Sequence, residues 1–174
     1  TSRGLGDVYK RQVRWKDSVI GYEANSLKNT YLLRRSLLNG TYKISDYQKF
    51  RVYEPKEREI VATRIKDRQF QRSLCDNVLY PQITRSFIRD NCACQRGKGV
   101  DDALNRMNVY LRRYFLKNGS DGWVLKCDIR HYFAETPHTV AKAAIRKRLT
   151  DQDAAAYTDM IIDSFGGEVG IGLG

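Results

Sequence analysis

The stretch VLKCDIRHYF, residues 124–133, places Asp128 near the end of an apolar run, with two aromatic rings, Tyr132 and Phe133, just after it. On a strand alternate side chains share a face. Val124, Lys126 and Asp128 would then point one way, and Leu125, Cys127 and Ile129 the other. A carboxylate at the end of a buried strand is held rigidly, which is what a divalent ion requires of its ligand. Mg²⁺ takes one or two carboxylates and leaves its remaining positions to water and substrate phosphate. Asp128 is therefore a candidate metal ligand. Strand-end aspartates also serve as caps and turn residues, so its neighbours have to decide.

The other metal-capable side chains are Cys75, Cys92, Cys94 and Cys127, with His131 and His138 nearby. Zinc ligands are usually paired as C-x2-C or H-x3-H, and a lone C-x-C with scattered companions fits reduced structural thiols better. A zinc site on Cys92 and Cys94 is the alternative. Charge is more informative. The 174 residues carry a net charge of +11, and residues 1–100 hold 21 Lys and Arg against 10 Asp and Glu, while residues 101–174 balance at 10 against 10. Such a one-sided excess is the footprint of a polyanion partner, or else a solvated basic surface. A hydrophobic content of 41% with 11 Tyr argues for a folded chain. No apolar run approaches the roughly 18 residues of a membrane span and no signal-peptide core opens the chain, so no membrane association and a cytoplasmic location are expected.

The elements that must position Asp128 follow from periodicity and punctuation. Leu27, Tyr31, Leu32 and Leu38 predict a helix over about residues 24–38, closed by Asn39-Gly40. KFRVYE and EREIVATRI predict a charged hairpin turning at Pro55-Lys56. Asp67 is placed to cap a helix reaching about Leu79, with Pro81 marking its end or a kink. CQRGKG, residues 94–99, reads as a loop. From Val100 to Leu116, the residues Leu104, Met107, Leu111 and Phe115 recur at helical spacing, which predicts a helix packed on the core and stopped by Asn118-Gly119. GWVLKCDI predicts a strand, Thr136-Pro137 the opening of a helix, and Thr150 with Asp153 the opening of another that ends at Gly166-Gly167. Helices, hairpin, strand and helices in this order give an α+β fold. TSRGLGDVYKRQ, residues 1–12, shows neither periodicity and reads as a non-native leader.

Several of these segments resemble a known family in their order and spacing. FRVYEPKEREI followed by KDRQFQRSLCDNVLYP is similar to the fingers hairpin and following helix of bacterial retroelement reverse transcriptases. CACQRGKGVDDAL resembles their next block, CDIRHYFAETPH their first acidic motif, and GIGLG the opening of their glycine turn. The resemblance spans roughly residues 48–174 and includes the group II intron, retron and diversity-generating types. Ile171 departs from the common pattern, in which glutamine precedes the glycine; an aliphatic residue there is reminiscent of diversity-generating retroelements.

The resemblance implies the fingers and partial palm of a right-hand polymerase, ending before the second acidic motif and the thumb. It implies an N-terminal helical extension over 13–47, fingers over 48–118, the palm strand with its acidic motif over 119–136, helices returning to the fingers over 137–165, and a palm glycine turn from 166. The implied activity is RNA-directed DNA polymerisation with two Mg²⁺ ions, acting on an RNA template, a DNA or RNA primer and deoxynucleotides, with an accessory protein of the retroelement as a possible partner. Asp128 would be the catalytic metal ligand, joined by the backbone carbonyl of Ile129. His131 and Tyr132 would offer backbone N–H groups to the triphosphate. Phe133 matches the ring that excludes a ribose 2′-hydroxyl; an ordinary core aromatic is the other reading. Lys56 and Arg58 match triphosphate-contacting positions on the fingers hairpin, and Gly172 belongs to the glycine turn. The basic stretch from Arg51 through Arg96 would line the template–primer path. With one carboxylate of three, this stretch alone should not polymerise. A relative that has lost catalysis and binds nucleic acid, or one that makes untemplated DNA, remains open.

Overall fold

The computed structural model describes residues 17–53 and 57–171, and it is an α+β arrangement. Helices α1 (Asp17–Ala24) and α2 (Ser26–Leu38) lead into strands β1 (Gln48–Val52) and β2 (Arg58–Ala62). Helix α3 (Ile65–Leu74) runs on through a π-helical turn (Cys75–Leu79), α4 (Tyr80–Ile83) and a 3₁₀ turn (Thr84–Ser86). Then come α5 (Val100–Asn118), the single turn α6 (Tyr132–Glu135), α7 (His138–Arg146) and α8 (Gln152–Asp163). The two strands form an antiparallel hairpin in which Gln48 faces Ala62 and Val52 faces Arg58. Residues 1–12, expected to be a leader, and Pro55-Lys56 lie outside the described residues. No described helix is long and apolar enough to cross a membrane.

The core lies where the first and last helices meet. Leu33 of α2, Tyr42, Phe70 and Leu74 of α3, and Ala154 of α8 are buried together, with Leu37, Ile44, Tyr157 and Ile161 packed around them. Tyr42, Phe70 and Tyr157 meet edge to face, with centroids 4.8 and 5.2 Å apart for the two Phe70 pairs. Such pairs add about 0.5–1.5 kcal/mol to burial alone. The helix over 24–38 forms as predicted, but Leu27, Tyr31, Leu32 and Leu38 are exposed and Leu33 carries the packing. The α2 sequence is apolar on more than one face, so its spacing alone does not select the buried one.

Asp67 corrects a second expectation. The N-cap of α3 is Arg64, and Asp67 sits inside the first turn at 0% exposure. The Tyr42 hydroxyl donates to its Oδ1 at 2.6 Å and the Ser45 backbone N–H to its Oδ2 at 3.1 Å, while Lys66 Nζ stands 3.8 Å away. A buried carboxylate is tolerated only when its lone pairs are satisfied in this way. The same contact holds the Tyr42 hydroxyl well above the ordinary phenol range, chiefly by burial and then by the bond to Asp67. The loop after α2 is thereby bound to α3.

Pro81 does not end its helix. Proline has no N–H and its ring crowds the carbonyl four residues back, so the backbone widens to π geometry just before it, with the Tyr80 N–H bonded to the Cys75 carbonyl. The α8 cap also moves by one residue: Asp151, rather than Thr150, accepts the Ala154 N–H at 3.0 Å.

The larger corrections concern α5 and the segment after it. α5 spans Val100–Asn118, yet Leu104, Met107, Leu111 and Phe115 are all exposed and none of its residues is buried. Residues 121–129 have no regular structure, and Trp123, Val124, Leu125 and Ile129 are exposed at 70–100%. A strand exists only when a neighbour pairs its N–H and C=O groups, and no described segment offers that edge.

Two stability predictions follow from this packing. Asp67→Asn strands one buried amide donor beside Tyr42 and Ser45, and should lower unfolding free energy by about 2–3 kcal/mol in urea titrations. Phe70→Ala should cost about 3–5 kcal/mol, whereas Phe115→Ala should stay within about 0.5 kcal/mol, as for an exposed residue.

Candidate functional site

Segment 121–129 is fastened at both ends. Gly119 turns the chain away from α5 at φ +74°, the Tyr114 hydroxyl donates to the Asp121 carbonyl at 2.9 Å, and Gly122 lies against the Tyr114 ring, where a Cβ would come within 2.8 Å. At the other end His131 takes a left-handed conformation, φ +49°, which reverses the chain into α6. Its carbonyl accepts the N–H groups of Ala134 and Glu135 at 3.0 and 2.9 Å. The N–H groups of Tyr132 and Phe133 fall in the first turn of α6, where no intrahelical carbonyl precedes them.

Between these anchors Cys127, Asp128, Ile129, His131, Tyr132, Phe133 and Ala134 line an open concavity of about 720 Å³. Tyr132 and Phe133 stand edge to face, with centroids 5.3 Å apart, and each is about half exposed. The Asp128 carboxylate makes no hydrogen bond or ion pair with a described residue. Five of the expected site residues, Asp128, Ile129, His131, Tyr132 and Phe133, thus share one surface. Arg58 lies in β2 opposite Val52, and Lys56 and Gly172 lie outside the described residues.

The backbone that carries this surface is braced by residues with no obvious chemical signature. The Ile171 N–H donates to the Phe133 carbonyl at 2.7 Å, the Gly170 N–H to the Thr136 carbonyl at 2.9 Å, and the His138 N–H to the Glu168 carbonyl at 2.9 Å. Gly170 has φ +98°, and a Cβ there would come within 3.3 Å of the Ala134 carbonyl. His138, 4% exposed, holds the Gly170 carbonyl at 2.7 Å from Nε2, and its Nδ1 lies 3.7 Å from Asp163. The glycine turn is therefore tied to the backbone of the aromatic pair, and His138, which the sequence offered only as a metal-capable neighbour of the cysteines, is the residue that anchors it. Its one local signal is its place directly after Pro137 at a helix start.

Mg²⁺ binds oxygen, using one or two carboxylates with water and phosphate in the remaining positions. An exposed, unpartnered Asp128 beside the Ile129 backbone fits as one edge of such a site. Among the described residues no three His, Cys, Asp or Glu side chains gather as metal ligands, so this stretch contributes a single carboxylate. Cys127 lines the concavity beside Asp128, whereas Cys92 lies elsewhere: its Sγ donates to Asp102 at 3.3 Å, and burial first, then that bond, raises its thiol pKa.

Several cations in and beside the basic stretch are held by groups of the protein itself. Arg51 pairs with Glu57, Arg72 and Arg96 with Asp76, and Arg96 also lies over the Tyr80 ring at 4.7 Å. Lys98 Nζ bonds the carbonyls of Arg89 and Asn91. These cations fix loops. Comparison with family models and with curated proteins finds no match to the chain.

Asp163 supplies a check on the glycine-turn anchor. The Lys142 ammonium beside it, first, and then His138 hold its carboxyl below the usual range, against a smaller opposing effect of burial. A lowered folded-state pKa gives stabilisation that is full above the unfolded-chain value and is lost as pH falls through the folded one. Lys142→Met should raise the Asp163 titration followed by carboxyl NMR. It should also flatten the acid-side decline in stability.

Proposed function

We propose that this chain forms the fingers and first palm segment of an RNA-directed DNA polymerase of the bacterial retroelement type. The observation that carries the reading is the convergence of Asp128, the backbone of Ile129 and Tyr132–Phe133 on one open concavity, with the carboxylate free of any described protein partner. A structural aspartate would be expected to hold a cap or an ion pair, as Asp151 and Asp76 do.

In this reading the exposed segment 121–129 is the strand on which a palm sheet is completed, which accounts for apolar side chains left open on both of its faces. Asp128 and the Ile129 carbonyl would hold Mg²⁺, and the remaining carboxylates would come from the second acidic motif that the resemblance places after the glycine turn. Two such ions, when bound, stabilise the attacking and leaving oxygens of nucleotidyl transfer. The chain's own residues orient the incoming nucleotide: first-turn N–H groups of α6 face its phosphates, and the Phe133 ring packs beneath its sugar. Lys56 and Arg58 are the residues that the resemblance assigns to the triphosphate, where a guanidinium grips two oxygens and an ammonium acts as a point charge. RNA template, primer and deoxynucleotides are the partners.

The polymerase that contains this chain should extend a primer on an RNA template with Mg²⁺, and Asp128→Asn should lower kcat by about 10³-fold or more with the template–primer Kd unchanged. Full activity in that variant would remove Asp128 from the mechanism. Phe133→Ala should raise incorporation of ribonucleotides relative to deoxynucleotides by about tenfold or more. An unchanged ratio would return Phe133 to the role of a packing residue.

A further inference from the structure

A second groove, of about 480 Å³, lies apart from Asp128 and is lined by Gln82, Arg85, Ser86, Lys147, Arg148 and Thr150. It is built from two segments distant in sequence, the 3₁₀ turn after α4 and the connection from α7 to α8. Gln82 fastens them: its Oε1 accepts the Thr150 backbone N–H at 3.0 Å and the Thr150 hydroxyl at 3.4 Å. The lining holds three cations, two hydroxyls and an amide, and no carboxylate.

The charge here is uncompensated. Arg85, Lys147 and Arg148 are exposed and pair with no carboxylate among the described residues. Cations on α7 and α3 are neutralised instead: Arg146 by Asp159, Lys142 by Asp163, and Arg72 by Asp76. Three unpaired like charges around one groove repel one another, a cost that a bound polyanion offsets. Exposed cations across an open groove suit a chain of phosphates better than one enclosed anion, and hydroxyl and amide groups are the usual companions of such contacts.

The geometry points to this groove as a seat for the phosphodiester backbone of a nucleic acid, recognised by charge and without base specificity. The inference stands on the groove alone and does not require Asp128 to be catalytic. It also relocates part of the expected basic path, since Lys147 and Arg148 come from the electrically balanced half of the sequence.

The test is fluorescence anisotropy of a labelled oligouridylate of about 16 nucleotides titrated with the chain, without divalent ion or nucleotide, so that its outcome is separate from that of the polymerase assay. The triple variant Arg85→Gln, Lys147→Gln, Arg148→Gln is compared with Lys28→Gln, Arg34→Gln, Arg35→Gln, which removes the same charge from exposed positions on α2. The groove variant should weaken binding by about tenfold or more and reduce the slope of log Kd against log salt by about 2, the value for three released counterions on a single strand. The α2 variant should show a smaller change in both. Equal losses in the two variants, or wild-type affinity in the groove variant, would overturn the inference. So would binding of inorganic phosphate that the groove variant abolishes while oligonucleotide affinity persists, which would make this a free-anion site. Thermal melts of both variants should match the wild type, because every altered side chain is exposed.

Discussion

A single buried carboxylate organises the described fold. Asp67 has no exposure to water, and its two oxygens are occupied by the Tyr42 hydroxyl and the Ser45 N–H. Those donors lie in the loop between α2 and β1, so the acid fixes where the hairpin leaves the helical core. Tyr42 also joins the aromatic cluster with Phe70 and Tyr157, and the Tyr157 hydroxyl donates to the Leu37 carbonyl. Three polar contacts and three rings therefore hold α2, α3 and α8 together. The end of α8 is tied in turn to the loop before β1, through Tyr47 stacked on Phe165 and its hydroxyl bonded to Ser164.

From that core the concavity around Asp128 is reached through backbone geometry. α8 leads to the glycine turn, the turn bonds to residues 133–138, and those residues set the reversal at His131. The carboxylate itself stands on a segment with little packing. That combination, a fixed reversal beside an open acid, is what a metal-holding strand end needs from its surroundings. The apolar side chains of residues 123–129 and of α5 are left exposed by the described residues.

Local patterns carried most of the legible information. The hairpin, α2, α5 and the helices after Pro137 were all readable because periodicity, Asn-Gly stops and charge alternation act within a few residues. Asp128, His131, Tyr132 and Phe133 reach one surface for the same reason, since they lie within six residues of one another and one reversal gathers them. Contacts between distant segments were not. An aspartate at the third residue of α3 looks like a cap until Tyr42 and Ser45 arrive from a loop more than twenty residues earlier, at separations of 25 and 22. The face that α2 buries is selected by Phe70 and Ala154, and its own sequence offers several candidates. Strand geometry at 122–129 was predicted from alternation, but alternation describes side chains and a strand also needs a partner edge. The groove of Arg85, Lys147 and Arg148 depends on a contact across 68 residues, which no spacing rule reveals.

The most direct measurement of the central claim is metal-directed backbone cleavage. Fe²⁺ replaces Mg²⁺ in the protein proposed to be a polymerase, and ascorbate with peroxide cuts the polypeptide next to the bound ion. The account predicts scission within a few residues of Asp128, suppressed by excess Mg²⁺ and absent from Asp128→Asn. Cleavage that avoids this segment, or that persists unchanged in the variant, would contradict it.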